Sequence, residues 1–266
     1  MKELEAVAKE ARRLMVEMHY RAKDAHLGCA MSMVEIMVSL YFRVMKADPS
    51  NPNAPDRDRF ILSKAWAPSA LYAVMCERGF FDRETLATFA QNGTRIASIG
   101  TSGVLPGVEA SGGSAGQGLS VGIGMALVSR ADKTGSRIFV LMGDGEVQEG
   151  STWEAAMFAA SRRLSSLTLI VDRNMFQTWS KVDDVVGIEP LAERFRAFGW
   201  DADEVDGHDI EKLTEVLGRM SSRPHAVIAR TTKGKGISFM EGSGDWHNGV
   251  LTEEQYKIAA RELNHA

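Results

Sequence analysis

Ile138-Phe139-Val140-Leu141-Met142-Gly143-Asp144-Gly145-Glu146 and Leu167-Thr168-Leu169-Ile170-Val171-Asp172-Arg173-Asn174 decide the fold. Each is a nearly unbroken apolar run that ends in a turn-forming polar segment, the pattern of a strand buried on both faces. Between them, the stretch from Ser151 has the pattern of a helix. The same alternation continues with a helix around Pro190 to Phe198, a helix at about 209 to 220 and a strand at Ala226 to Ala229. Strands that alternate with helices predict an α/β fold with a doubly wound, mainly parallel sheet flanked by helices.

Working outward, Leu4, Val7, Ala8, Ala11, Leu14, Met15 and Met18 fall at steps of three and four and predict an opening amphipathic helix. Ser32 followed by Glu35 reads as a capping box, with a helix over 32–45, and Thr252 with Gln255 reads as the cap of a terminal helix. A Pro/Asn/Asp-rich loop fills 48–58. With 266 residues, 44% hydrophobic and 25% charged, the chain is long enough for one well-formed core and is read as one domain. Its net charge of −4 excludes general attraction to nucleic acid or to anionic membrane. Two cysteines, Cys29 and Cys76, outside any CxxC pattern, argue against structural zinc or a disulfide framework. A charged N-terminus without a long apolar run predicts a cytosolic protein.

In a doubly wound sheet ligands bind beyond the carboxyl ends of the strands, which is where Asp144 and Asn174 stand. The glycines Gly143 and Gly145 let the backbone turn, and Asp144 offers a hard oxygen suited to magnesium or calcium. The separation of 174 − 144 = 30 residues accommodates one strand-helix-strand crossover, so the two oxygens can converge on one ion. Taken singly, each residue also reads as an ordinary turn former. Gly112-Gly113-Ser114-Ala115-Gly116-Gln117-Gly118, followed by Leu119, can present backbone amides to an anion or serve as a flexible loop before a helix. No strand precedes it, which argues against a dinucleotide fingerprint and a dehydrogenase.

Together with Gln148-Glu149-Gly150, Trp153-Glu154-Ala155-Ala156, Asp58 to Lys64, Pro106 to Ala110, Val205 to Asp209, Thr232 to Gly236 and Trp246-His247, these segments resemble the N-terminal, diphosphate-binding region of transketolases over nearly the whole chain. The resemblance implies thiamine diphosphate held through Mg2+, or Ca2+, by Asp144, Asn174 and the backbone carbonyl of Phe176. It places Gly116, Gly118, Leu119, Gly143, Gly145, Glu146, Trp66 and His247 around the cofactor, and gives His26 and His247 contact with substrate. Glu149 and Glu154 match glutamates at the subunit interface, although Ser151 with Glu154 also reads as a capping box. His208 is expected to order the loop before the helix at Asp209.

The pattern fails at two places. After Ser63-Lys64 the family carries Gly-His and this chain carries Ala65-Trp66; where a His-Pro motif is usual it has Ser98-Ile99-Gly100-Thr101. Indole donates one hydrogen bond where imidazole can donate, accept and carry charge, so sugar-hydroxyl recognition should change. Trp66 is expected to narrow the pocket toward a smaller, more apolar or modified substrate. The pyrimidine-binding and C-terminal domains are expected on a separate chain, in an α2β2 assembly that moves a two-carbon ketol unit from a ketose to an aldehyde. The rival readings are another carboligase or 2-oxoacid-using enzyme, and a non-catalytic cofactor-binding subunit.

Overall fold

A computed structural model describes residues 1–265. Five parallel strands form the main sheet in the order β1-β2-β3-β7-β6. They are β1 (Arg59–Leu62), β2 (Ile138–Gly143), β3 (Leu167–Arg173), β6 (Asp201–Asp206) and β7 (His225–Arg230), and a separate antiparallel hairpin pairs β4 (Phe176–Gln177) with β5 (Ser180–Lys181). The helices are α1 (Lys2–Ala22), α2 (Leu27–Met31), α3 (Val34–Ser39), α4 (Ser69–Arg78), α5 (Arg83–Leu86), α6 (Gly118–Ala131), α7 (Gly150–Ser161), α8 (Val182–Val185), α9 (Leu191–Ala197), α10 (Ile210–Gly218) and α11 (Glu253–His265).

Successive strand residues face opposite sides, so the sheet divides the apolar residues into two cores. Phe60, Leu62, Phe139, Leu141, Ile170, Val227 and Ala229 pack with α1, α3, α4 and α10. Ile61, Ile138, Val140, Met142, Leu169, Val171 and Ile228 pack with α6, α7 and α9 on the other side. Both faces of β2 and β3 are covered, and every residue of the two strands is buried. The expected doubly wound parallel sheet is present, and among the described residues no helix is long and apolar enough to cross a membrane.

Two strands of the main sheet escape the sequence pattern, and both lie at its edges. Strand β1 has only four residues, and β6 is Asp-Ala-Asp-Glu-Val-Asp, whose carboxylates suit an edge exposed to water rather than a buried centre. Of the capping boxes, the terminal one forms: Thr252 N–H donates to Gln255 Oε1 at 3.0 Å and Gln255 N–H to Thr252 Oγ1 at 3.2 Å. The box expected at Ser32 and Glu35 does not form. Ser32 Oγ donates to Asp172 Oδ2 at 2.6 Å, and Glu35 is taken by Arg12 and His208, so α3 starts at Val34 and ends in a π turn at Leu40–Val44. Buried charged partners there outweigh a cap worth about 1 kcal/mol. The Ser151–Glu154 box is also absent, because Ser151 Oγ donates instead to the Gly116 carbonyl at 3.4 Å.

His19 joins α1 to α4. Its Nε2 lies 2.8 Å from Ser69 Oγ and its Nδ1 lies 3.3 Å from the Asp24 carbonyl oxygen. Burial pushes its pKa down from 6.5 to about 4. In that window the unfolded chain binds a proton that the folded chain refuses, so the neutral ring's contribution is complete above pH 6.5 and is lost as pH falls toward 4. At full titration this amounts to about 3 kcal/mol. Urea midpoints of the parent chain should therefore fall between pH 6.5 and 4, and His19→Gln should flatten that slope; an unchanged slope in the variant would refute the assignment.

Candidate active site

The carboxyl ends of β1, β3 and β7 meet at one place, and a buried carboxylate joins them. Asp172, fully buried at the end of β3, accepts from Lys64 Nζ at 2.6 Å and Ser32 Oγ at 2.6 Å through Oδ2, and from Thr231 Oγ1 through Oδ1. Lys64 follows β1, Thr231 follows β7, and Ser32 lies between α2 and α3. Lys64 Nζ also donates to the Cys29 carbonyl at 2.8 Å, which draws α2 into the same knot. Burial opposes both charges, but the attraction between them wins: the Asp172 carboxyl is held below its ordinary value and the Lys64 ammonium above.

Asp144, just beyond β2, lies in a second network. Its Oδ2 accepts from Arg173 Nη1 at 3.0 Å and from Met175 N–H at 2.7 Å, and its Oδ1 accepts from Gly145 N–H at 2.9 Å. Arg173 is itself buried and also reaches Asp183 and Glu189. Burial and then the charge of Asp172 push the Asp144 carboxyl up to about 6, against Arg173 and the Met175 amide. Asn174 Nδ2 lies 3.4 Å from Asp172 Oδ2, and Asn174 Oδ1 accepts from Phe176 N–H at 3.1 Å, which sets the start of the β4–β5 hairpin.

Asp144, Asn174 and Phe176 border one cavity of about 230 Å³, together with Lys64, Cys29, Trp66, Gln177 and His247. Among the described residues no three His, Cys, Asp or Glu side chains cluster as a metal-binding set. A cation here would therefore be held by the Asp144 carboxylate, the Asn174 carboxamide and oxygens from the backbone or a ligand, a donor set that suits magnesium. One further observation fits a polar occupant: Gln177 Oε1 is buried on this wall with no hydrogen-bond partner. A buried acceptor left unpaired costs about 1–3 kcal/mol, which a ligand in the cavity would offset. Gly145 packs closely against the same side chain, and an added Cβ there would lie 3.0 Å from Gln177 Cγ.

His26 and His247, far apart in sequence, are neighbours. Their rings meet edge-on with centroids 5.0 Å apart, and His26 N–H donates to the His247 carbonyl at 3.1 Å. Burial first, then the cationic Lys233, lower both values, His247 to about 4. Trp66 is half-buried on the cavity wall rather than packed away from it. Beside it, Gly100 N–H donates to the Ala65 carbonyl at 2.9 Å, so the two departures from the family pattern lie against each other.

The glycine loop is positioned differently from the expectation. Ala115 reaches the cavity, whereas Gly118 abuts Ser63, with an added Cβ only 2.4 Å from Ser63 Cβ, and Leu119 is fully buried in the core. Neither Gly118 nor Leu119 is free to touch a cofactor in the cavity, because helix–sheet packing consumes both. Gly116 N–H is likewise spent, donating to Glu146 Oε1 at 3.1 Å. Glu146 borders the cavity but serves the scaffold: Oε1 also accepts from Ser63 Oγ at 2.8 Å and Oε2 from Gly143 N–H at 2.8 Å. Glu149 is exposed at the cavity rim and Glu154 is exposed on α7. His208 bridges Glu35 Oε2 and Thr232 N–H, both at 2.9 Å, while Asp209 caps α10 through Lys212 N–H at 3.0 Å.

Sequence reasoning assigned no role to Lys64, Asp172, Arg173, Lys233 or Cys29. Charged residues at the ends of apolar strands were the available signal, and Lys64, Asp172 and Arg173 all carry it.

A family model described as "Transketolase, thiamine diphosphate binding domain" matches residues 4–265. The chain is 40% identical over 264 residues to one subunit of the apulose-4-phosphate transketolase of Phocaeicola vulgatus, covering 98% of this chain and 94% of that one. It is 39% identical over 264 residues to a 6-deoxy-6-sulfo-D-fructose transketolase subunit of Clostridium sp. strain MSTE9, covering 98% and 96%. Among solved structures, transketolase from Campylobacter jejuni superposes with a TM-score of 0.91 at 29% identity, covering 99% of this chain and 43% of that chain. The chain thus spans less than half the length of that solved transketolase.

The Lys64–Asp172 pair supplies a direct stability test. Lys64→Met leaves a buried carboxylate without its counter-charge and should cost about 3–5 kcal/mol in urea unfolding. Lys64→Met combined with Asp172→Asn should recover a large part of that loss; a loss that simply adds would show that the two groups are not coupled.

Proposed function

Because this chain belongs to the transketolase thiamine-diphosphate-binding family, we propose that it is the diphosphate-binding subunit of a split transketolase, completed by a second chain that carries the pyrimidine-binding and C-terminal domains. The observation that carries the reading is the cavity at the carboxyl edge, where Asp144, Asn174 and the hairpin at Phe176 border one space with an unpaired Gln177 acceptor. Asp144 and Asn174 would hold magnesium, and the magnesium the diphosphate. Lys64 lines the same cavity, and Lys233, whose Nζ donates to the Thr178 carbonyl at 2.8 Å, lies beside it; both add positive charge near the anion. When bound, thiamine diphosphate supplies the carbanion chemistry that breaks and remakes a carbon–carbon bond. His247 borders the same cavity and His26 packs against it, and the two would handle the hydroxyl and carbonyl oxygens of the sugar. The matched protein of Phocaeicola vulgatus is named as one subunit of its transketolase, which supports a partner. So do the exposed apolar side chains of Val128, Met157 and Phe158 on α6 and α7, beside Glu154, as surface that another subunit would cover in an α2β2 assembly.

The substrate is a ketose other than the ordinary pentose phosphates. Trp66 on the wall and Ser98 to Thr101 without histidine remove two polar partners for sugar hydroxyls. Relatives named for apulose-4-phosphate and 6-deoxy-6-sulfo-D-fructose support such a substrate. The same loss of imidazoles favours, as a second reading, a carboligase that takes a 2-oxoacid donor.

Calorimetry on the chain with its partner should find cofactor binding that needs magnesium, weakens as pH falls through about 6 when Asp144 takes a proton, and drops about 100-fold in Asp144→Ala. Binding indifferent to magnesium, or turnover by this chain alone, would overturn the reading. Trp66→His should shift donor preference about tenfold toward pentose phosphates, measured as kcat/KM across ketose and 2-oxoacid donors. An unchanged preference would remove Trp66 from the account, and turnover of 2-oxoacids alone would establish the second reading.

A further inference from the structure

The cavity contains a thiol that the proposed reaction does not employ. Cys29, in α2, is buried and borders the cavity, and its Sγ lies 3.3 Å from His247 Nδ1. Burial raises the pKa of the thiol, with Lys233 and Lys64 pulling it back, so the sulfur keeps its proton near neutral pH. His247 is neutral there as well, since burial, Lys233, His26 and Lys64 all disfavour the imidazolium.

A protonated thiol and a neutral imidazole can share a hydrogen bond in two ways. A ring N–H would have to donate to thiol sulfur, which is a weak acceptor, whereas Sγ–H can donate to the lone pair of Nδ1. The second arrangement is the stronger, and it leaves the ring proton on Nε2. The ring's placement is further defined by the edge-on contact with His26 and by Trp179, whose ring centroid lies 6.3 Å away. Among the described residues Nε2 makes no hydrogen bond.

We propose that Cys29 is a positioning residue that locks His247 in its Nε2–H tautomer, so that His247 presents a neutral hydrogen-bond donor to a ligand oxygen in the cavity. His247 then stabilises a carbonyl, hydroxyl or phosphate oxygen and does not abstract a proton. The identity of that oxygen rests on the transketolase reading; the tautomer does not.

The test uses the full chain with 15N-labelled histidine rings. Nitrogen shifts should show Nε2 protonated in the parent and in Cys29→Ser, which keeps a donor, and a mixture of tautomers in Cys29→Ala. Unchanged His19 and His208 signals report an intact fold. With partner, cofactor and substrate, Cys29→Ala should lower kcat/KM about three- to tenfold, and Cys29→Ser should restore most of it. An Nδ1–H tautomer in the parent, or a Cys29→Ala spectrum identical to the parent's, would overturn the proposal. Because the spectra require no turnover, absence of ketol transfer in the parent as well as in the variants would refute the transketolase reading alone.

Discussion

The buried ion pair between Lys64 and Asp172 is the constraint on which the site depends. Isolated, either charge would be expelled from so dry a place; together, and with Ser32, Thr231 and the Cys29 carbonyl, their hydrogen-bonding capacity is largely filled. The pair ties the end of β1 to the end of β3, across the intervening β2, and brings α2 and the segment after β7 to the same point. Three cavity residues, Cys29, Lys64 and Asn174, lie on this knot or beside it.

A second consequence is the electrostatic character of the cavity wall. Asp144 is a buried carboxylate whose charge is only partly compensated by Arg173, and burial, then the nearby charge of Asp172, raises its pKa. Such a site favours a cation, and the unpaired Gln177 acceptor adds to that preference. Lys64 and Lys233 favour an anion and, after burial itself, help to keep the imidazole of His247 neutral. One small space thus carries groups of both signs, as the proposed metal-bound phosphate would require.

Much of this was legible in the chain alone. Strands β2, β3 and β7, the opening helix and the terminal cap followed from periodicity and capping chemistry, because buried strands leave unbroken apolar runs. Edge strands β1 and β6 did not, since an edge tolerates short length and charge. Asp144 and Asn174 were legible from their place at strand ends. Gly118 and Leu119 were misread because a glycine needed for close helix–sheet packing looks the same in sequence as one that cradles an anion. The Ser32 and Glu35 box failed for a related reason: a local motif competes with tertiary partners that lie 140 and 173 residues away.

The sequence by itself determined the alternation of strands and helices, the carboxylate and carboxamide at two strand ends, the family, and the indole at position 66. All are properties of local chemistry and spacing. Only the tertiary structure decided that Lys64 pairs with Asp172, that Arg173 braces Asp144, that Trp66 faces the cavity, and that Cys29 meets His247 from 218 residues away. These depend on which strand ends the parallel order places side by side, and on burial that makes each polar group find a partner within reach.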